Sequence, residues 1–214
     1  MSAAFFFLGG AAWSLAEYTL HRYVGHGPKR RAPTSVLGRL TPSGLLAEFN
    51  REHLAHHADP RYFAPTSRKV LAAAAVIPVV TGALAPIVGV RRAASFAAGF
   101  TATYAAYEIL HRRIHTHPPK GRYGRWARRH HLQHHLKDPR ANHGVTSPIW
   151  DHAFRTLEPL RRVRITKRTA PPWFFTPDGA LASGLADDYE LVGERDKTTK
   201  PLEDQGLRGG RNRI

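Results

Sequence analysis

Three long apolar stretches alternate with strongly basic segments along the chain. The first covers residues 1–20 and carries one charge, Glu17. The second, residues 70–90, is uncharged throughout, and a pair of arginines separates it from the third, residues 93–110. About twenty apolar residues are needed for a helix to cross a bilayer core. The pattern therefore predicts three transmembrane helices, the last two joined as a hairpin.

The basic residues predict how these helices are oriented. Residues 21–69 contain nine Lys and Arg, and residues 111–214 contain 21. One span followed by a hairpin places both segments on the same side of the membrane, which the positive-inside rule makes cytoplasmic. All 14 histidines lie in these two segments. Any chemistry that depends on histidine is therefore predicted at the cytoplasmic side.

The overall charge and the lack of cysteine narrow the possible functions. A formal net charge of +16 indicates contact with an anionic surface, either nucleic acid or lipid headgroups. The apolar stretches and the lack of a nucleic-acid recognition motif argue against nucleic acid as a partner. Because the chain has no cysteine, a metal site must be built from imidazole and carboxylate.

Ten histidines form four groups with the spacing of metal ligands. On a helix, positions i, i+3 and i+4 lie close to one face, so a His-x2-His-His triplet can present three imidazoles together. The two halves of the chain repeat the same order of groups, and HLAHHADPR (53–61) resembles HLQHHLKDPR (131–140). The groups are His21 and His26; His53, His56 and His57; His111 and His115; and His131, His134 and His135.

The pair His21 and His26 is five residues apart, so its side chains would diverge on an ideal α-helix. Gly25 and the following Gly-Pro are expected to end the helix and to bring His26 back. A ligating imidazole usually donates its second N–H to a carboxylate or a carbonyl. Four carboxylates are candidates for this role, and pairing with arginine is the alternative for each. They are Glu17, Glu108, Asp59 and Asp138.

Five histidines in each half would serve two similar metal sites, with ligands free to cross between the halves. Imidazole suits zinc, copper, iron and nickel, and iron is the metal of this group that commonly activates dioxygen. A membrane metal-binding protein without catalysis is the alternative from another class.

With these groups in view, residues 15–157 resemble the fatty acid hydroxylase and sterol desaturase superfamily, whose histidine boxes they match. The run NHGVTSPIWD (142–151) is similar to the segment that fatty acid 2-hydroxylases carry after their last box. A carotenoid or sterol hydroxylase or desaturase of the same superfamily is the alternative.

The resemblance implies an all-α integral membrane protein with a helical cytosolic cap that holds a histidine-rich dimetal centre. The ten box histidines would be its ligands. The activity would be hydroxylation of a lipid's long acyl chain with O2 and two electrons. The two metal ions would be iron in function, with zinc able to replace them in a purified sample. No haem is expected, so the electrons would come from a separate donor protein.

The resemblance also suggests how the chain is divided. Residues 1–157 would form the membrane hydroxylase domain, and residues 158–214 a basic peripheral tail whose final stretch is disordered. The chain departs from the family pattern in having three spans rather than four, His143 in place of an aromatic residue and Arg155 in place of glycine. The candidate substrate-pocket residues are His143, Trp150 and Asp151.

Overall fold

Most of the residues that the structure describes lie in helices. The computed structural model describes residues 1–193 of the 214-residue chain. A π-helical segment, Leu20–Gly25, continues the first helix without a break. The α-helices are α1 (Ala3–Thr19), α2 (Val36–Leu40), α3 (Pro42–Ala58), α4 (Thr66–Val88), α5 (Val90–Thr116), α6 (Gly121–Leu136) and α7 (Ile149–Ala153).

The three long helices α1, α4 and α5 arise from the three apolar stretches. Helix α4 runs unbroken through Pro78 and Pro86. Gly89, with φ of +83°, then makes the turn into α5. Helix α5 extends past the predicted span and carries His111 and His115 on its last turns. Among the described residues, α4 is the one helix both long and apolar enough to cross a membrane by length and composition.

Helices α1 and α5 approach each other through glycines. A Cβ atom on Gly9 would lie 2.0 Å from the carbonyl oxygen of Phe96. A Cβ on Gly99 would lie 1.9 Å from the carbonyl oxygen of Phe6. Neither position can hold a side chain unless the helices move apart. Small residues at a close crossing are typical of helix pairs in membranes.

Helix α4 packs along α5 and leaves much of its own surface uncovered. None of its residues is buried, and Val79 and Ile87 are 67% and 79% exposed. A continuous apolar surface of this size is unusual on a protein in water and is typical of a helix that borders lipid or a partner.

Two further helices bring the histidine triplets to the ends of α1 and α5. Helix α3 packs against the π-helical segment, and α6 packs against α5. The buried Asn50 of α3 fixes the first of these contacts. Its side-chain amide donates to the carbonyl oxygens of Val24 and Gly25 at 2.7 and 3.1 Å and accepts from the backbone N–H of Arg30 at 3.1 Å.

Residues 159–193, which belong to the segment that the sequence predicts as a peripheral tail, fold onto α6. They contain two parallel strands, β1 (Val163–Ile165) and β2 (Tyr189–Leu191), and a 3-10 turn, Pro172–Phe174. Arg128 of α6 is buried and pairs with Asp188 beside β2. The division at residue 157 stays a prediction, and the predicted terminal disorder lies outside the described residues. The shared core comprises Ile114, Ala127, Leu132, Val145, Val163, Ile165, Ala170, Phe174, Leu185 and Tyr189.

Candidate metal centre

The ten box histidines converge into two groups of five. Within each group, every residue offers one ring nitrogen that lies within 4.8 Å of the corresponding nitrogens of the other four. The first group is His21, His26, His53, His57 and His134. The second group is His56, His111, His115, His131 and His135.

Each triplet divides between the two groups instead of serving one. His53 and His57 belong to the first group, while His56 belongs to the second. Successive residues on a helix are about 100° apart. Position i+4 therefore projects about 40° to one side of position i, and position i+3 projects about 60° to the opposite side. Helix α6 divides in the same manner and contributes His134 to the first group. Each group thus takes four imidazoles from one half of the chain and one from the other.

The pair His21 and His26 is brought together by a π-helix, not by the end of the helix that the sequence indicates. The backbone N–H of His26 donates to the carbonyl of His21 at 3.1 Å, which is the i to i+5 bond of a π-helix. The wider turn compensates for the five-residue spacing. The ring centroids of the two histidines are 5.2 Å apart.

The distances between ring nitrogens fit a shared metal ion. In the first group, the Nε2 atom of His26 lies 2.9 Å from that of His134 and 3.0 Å from that of His53. In the second group, Nε2 of His115 lies 3.2 Å from that of His56 and 3.0 Å from that of His131. Two ligands at right angles on a metal with bonds of about 2.1 Å are about 3 Å apart.

Several other ring nitrogens lack any protein partner. Nε2 of His21, of His111 and of His135 is buried without a hydrogen bond. Buried polar atoms are rarely left unpaired, so these nitrogens also favour a bound ion. Between the groups, the rings of His57 and His135 stack at 3.9 Å with an interplanar angle of 3°. This stack places the two groups side by side.

The outer ring nitrogens of three histidines donate to main-chain carbonyls. Nδ1 of His21 donates to the carbonyl of His143 at 2.5 Å. Nδ1 of His56 donates to Tyr62 at 2.8 Å, and Nδ1 of His134 to Ala141 at 2.7 Å. Such bonds fix the tautomer that leaves Nε2 free for a metal. No sequence pattern points to these three acceptors.

None of the four predicted carboxylates hydrogen-bonds a box histidine. Asp59 and Asp138 instead pair with arginine, the alternative considered for them. Oδ1 of Asp59 accepts from the backbone N–H and the Nε of Arg61, both at 3.0 Å. Oδ1 of Asp138 accepts from the same atoms of Arg140 at 2.9 and 3.1 Å.

These two Asp-Pro-Arg turns have one further feature in common. The residue after each arginine, Tyr62 or Ala141, supplies the carbonyl that accepts from the middle histidine of the preceding triplet. The repeated sequence therefore builds the same support twice, once for His56 and once for His134. The carboxylates thus hydrogen-bond to the turns and not to the histidines.

The two glutamates have separate partners. Glu108 pairs with Lys69 at the start of α4. Glu17 is buried, and its carboxylate accepts from the backbone N–H groups of Val145 and Thr146 at 2.6 and 3.0 Å and from the Thr146 hydroxyl at 2.7 Å. Glu17 thus fixes the loop after α6 to the helix that carries His21.

Asp151 holds the other side of this loop. Its carboxylate accepts from the N–H groups of His143 and Gly144 at 2.8 and 2.7 Å and from the Thr156 hydroxyl at 2.8 Å. His130, also buried, donates at 3.3 Å. Burial alone would raise the pKa of the Asp151 carboxyl, but these hydrogen bonds hold it well below its usual range. The loop in turn presents the His143 carbonyl to His21.

Of the two remaining predicted pocket residues, His143 lies beside the first group and Trp150 contacts α1. The His143 ring is buried, with its centroid 5.3 Å from that of His134 and 5.5 Å from that of His21. Trp150 donates from Nε1 to the Ser14 hydroxyl at 3.1 Å and so ties α7 to α1. The other histidines outside the boxes, His117 and His152, are exposed.

Burial keeps the clustered imidazoles neutral. It lowers the pKa of His26 to about 4, with a further contribution from His143. It likewise lowers the pKa of His56 to about 4, against the opposing hydrogen bond to the Tyr62 carbonyl. Only a neutral imidazole has a lone pair for a metal, so the centre favours the protonation state that binds.

The second group is reached from one side through a cavity of about 380 Å³. Phe63 forms part of its wall, and its ring lies 4.9 Å from that of His56 and 4.9 Å from the guanidinium carbon of Arg112. The rim of the cavity is basic, which suits an anionic ligand. The lining residues are Arg61, Phe63, Arg112, His115, Thr116 and Pro172.

Comparison with known proteins finds relatives of one kind. The family model for fatty acid hydroxylase matches residues 6–156. Dihydroceramide fatty acyl 2-hydroxylase FAH2 of Arabidopsis thaliana is 28% identical over 165 residues, covering 72% of this chain and 60% of the relative. Ceramide very long chain fatty acid hydroxylase scs7 of Schizosaccharomyces pombe is 28% identical over 169 residues, covering 75% of this chain and 44% of the relative.

One solved structure is similar to most of this chain. It is described as full-length scs7p with only the hydroxylase domain visible. The TM-score is 0.53 at 26% identity, with 72% of this chain and 55% of that chain covered. The chain thus spans about half the length of the proteins that it matches.

Proposed function

The chain belongs to the fatty acid hydroxylase family, and from this premise we propose that it hydroxylates a long acyl chain of a membrane lipid at a centre of two metal ions. The convergence of ten imidazoles into two buried groups of five carries the proposal. The balanced reaction converts a C–H bond, O2, two electrons and two protons to a C–OH group and water. The carotenoid and sterol alternatives use the same centre, and the names of the relatives favour the acyl chain.

Each group of five imidazoles would hold one ion. The bound metals, iron in the working protein, would supply the activation of O2 that amino-acid side chains cannot. Imidazole also binds zinc readily, so zinc can take the place of iron during purification.

The protein's own residues would prepare the centre in two ways. The carbonyls of His143, Tyr62 and Ala141 hold three imidazoles in the required tautomer and orientation. Burial excludes water and keeps the rings neutral. The loop after α6, which Glu17 and Asp151 hold from two sides, presents one of these carbonyls. It also brings the His143 ring against the first group, where the ring can border the substrate chain.

The helices would place this centre at the cytoplasmic surface of a membrane. In this arrangement α1, α4 and α5 cross the bilayer, and the histidines lie at the ends of α1 and α5 together with the basic segments. Electrons would come from a separate donor protein on that side. The lipid would enter from the bilayer between the helices.

Labelled dioxygen provides the direct test. Purified protein, loaded with ferrous iron and supplied with a chemical or protein electron donor, is incubated in vesicles that contain ceramide under ¹⁸O2. Extracted lipids are then analysed by mass spectrometry. We expect one labelled oxygen on the acyl chain.

Two variants make the result specific. His134→Ala removes a ligand and should abolish labelling, whereas His152→Ala removes an exposed histidine and should leave it unchanged. Metal binding with no labelled product from ceramide, free fatty acid, sterol or carotenoid would identify a non-catalytic metal-binding protein. Label in a sterol or carotenoid alone would assign the chain to the alternative substrate class.

A further inference from the structure

Four large aliphatic side chains project from the short helix α2 and the start of α3. Val36, Leu37, Leu40 and Leu45 are 76%, 79%, 67% and 56% exposed, and together they form a patch that we call the α2 patch. Single exposed aliphatic residues are common on protein surfaces, but four within ten positions indicate an interaction surface.

The backbone below the patch is well defined. The Ser35 hydroxyl caps α2 by accepting from the N–H of Gly38 at 3.1 Å, and the Thr41 hydroxyl caps α3 by accepting from the N–H of Gly44 at 3.2 Å. A Cβ on Gly44 would lie 2.2 Å from the Gly38 carbonyl oxygen, so the two helices are in direct backbone contact. The aliphatic side chains are therefore held outward by a fixed support.

The surroundings of the patch are basic. Lys29, Arg30 and Arg31 precede it, and Arg39 lies within it. The sequence has no acidic residue between Glu17 and Glu48. Aliphatic side chains surrounded by Lys and Arg are the combination with which protein segments bind anionic lipid surfaces.

An ion pair places the patch near the start of the apolar helix α4. Arg68, in the first turn of α4, contacts Glu48 at 2.7 Å and Glu52 at 3.6 Å, one turn apart on α3. Leu45 is one turn before Glu48. The exposed apolar surface of α4 begins with Val70, directly after this ion pair. The patch thus lies beside the end of the surface that would border lipid.

We propose that the α2 patch inserts into the headgroup region of an anionic lipid leaflet, with its basic residues against the phosphates. This inference rests on the proposed membrane location of the protein. It also connects the lipid surface to the metal centre, because Leu45, Phe49 and His53 follow one another at i, i+4 and i+8 on α3. The rings of Phe49 and His53 stack with an interplanar angle of 8° and centroids 6.0 Å apart. Docking of the patch therefore sets the height of the first histidine group above the acyl chains.

Because the chain has no cysteine, a spin label attaches only to a cysteine that is introduced at a chosen position. Leu37→Cys, Val79→Cys and Leu191→Cys are each spin-labelled in the full chain, which is reconstituted in vesicles of phosphatidylcholine with phosphatidylserine. Electron paramagnetic resonance then compares collisions with O2, which concentrates in lipid, and with a water-soluble nickel chelate. Val79 on α4 serves as the lipid-facing control, and Leu191 on β2 as the control outside the membrane.

We expect the label at position 37 to collide more with O2 than with nickel, as at position 79, and the label at 191 to show the reverse. Omission of phosphatidylserine, or the combined change K29Q, R30Q, R31Q and R39Q, should shift the label at position 37 toward more collisions with the nickel chelate.

Two outcomes overturn this inference and leave the membrane location standing. In the first, the label at position 37 collides mainly with nickel, like the label at 191, while the label at 79 collides mainly with O2. A label at 37 that is shielded from both reagents also overturns it, because protein would then cover the patch. A label at position 79 that collides more with the nickel chelate than with O2 overturns the proposed membrane location itself.

Discussion

The single imidazoles of the centre are oriented mainly by the backbone. His21, His56 and His134 donate to carbonyl groups that lie in loops, and each loop is itself held by a carboxylate. The sequence indicates which histidines take part, because their spacing is visible. It does not indicate the carbonyl acceptors, since every residue carries a carbonyl and only the fold selects one.

The division of each triplet leads to a prediction about metal stoichiometry. His56 and His115 belong to the same group, although they come from different halves of the chain, whereas His53 and His56 are neighbours in sequence and belong to different groups. The double variant H56A/H115A should therefore lose one ion and keep the other. The double variant H53A/H56A should lose both.

Metal content per folded chain, measured by mass spectrometry after dialysis against a limiting chelator, distinguishes these outcomes. H117A/H152A, which changes two exposed histidines, provides the matched control and should retain both ions. Equal metal loss in H56A/H115A and H53A/H56A would contradict the crossed arrangement.

At the scale of elements, the sequence predicts the long helices well and their local deviations poorly. Apolar length locates α1, α4 and α5, and the repeated triplets locate α3 and α6. The π-helix at Leu20–Gly25 was not predicted, because its sequence also fits an α-helix and only the need to bring His21 and His26 together favours the wider turn. Helix α2 has five residues, too few for a periodic signal.

The two Asp-Pro-Arg turns should act on different metal ions. Asp138→Ala removes the acceptor that holds the turn before Ala141 and should weaken the first group through His134. Asp59→Ala should weaken the second group through His56. Loss of an indirect support of this kind typically lowers metal affinity about 10-fold to 100-fold.

A titration of each variant with cobalt, followed by its visible spectrum, measures the two affinities separately. In each variant one affinity should fall while the other stays at the wild-type value. An exposed carboxylate outside the turns, changed in Asp187→Ala, controls for the loss of one negative charge. Unchanged affinities in both turn variants would show that the turns merely connect helices.

The crossing of α1 and α5 should tolerate no added methyl group. In Gly99→Ala, the new Cβ would lie 1.9 Å from the Phe6 carbonyl oxygen, so the helices must separate. We expect a loss of about 1–3 kcal/mol in the free energy of unfolding, the usual cost of overpacking. Gly82→Ala on α4 is the matched control, because a Cβ there meets nothing within 4 Å.

Thermal unfolding of both variants in the same detergent gives the comparison. Gly82→Ala should unfold at or above the wild-type temperature, because alanine favours the helix. If Gly99→Ala is as stable as Gly82→Ala, the two helices are not in the close contact that the glycines indicate.

At the scale of the whole molecule, residues distant in sequence combine to bury the centre. His21 of the π-helical segment and His134 of α6 lie in one group although more than half of the chain separates them in sequence. The sequence predicts this convergence because both halves carry the same boxes. It does not predict that residues 163–191 complete the core around α6, because the apolar residues of this segment are interrupted irregularly by prolines, glycines and charged residues. A short segment that packs at scattered positions leaves no periodic pattern.

Burial of so many neutral imidazoles makes the metal-free protein sensitive to acid. In the folded chain the pKa of His26 and of His56 is about 4, whereas an exposed histidine titrates near 6.5. Between about pH 6.5 and 4 the unfolded chain therefore binds protons that the folded chain does not. The free energy of unfolding must fall as the pH decreases through this window, by up to about 1.4 kcal/mol per pH unit for a fully buried imidazole. Above about pH 7 both states are neutral at these groups and the dependence disappears.

Unfolding temperatures of metal-free and metal-loaded protein, measured from about pH 7.5 down to about pH 4.5, test this expectation. The metal-free protein should lose stability progressively below about pH 6.5. Bound metal competes with protons for the same nitrogens, so the loaded protein should keep its stability to lower pH. An unfolding temperature that stays constant across the window in the metal-free protein would show that the imidazoles are already solvated or protonated in the fold. The two histidine groups would then assemble only when metal binds, rather than stand ready in the folded chain.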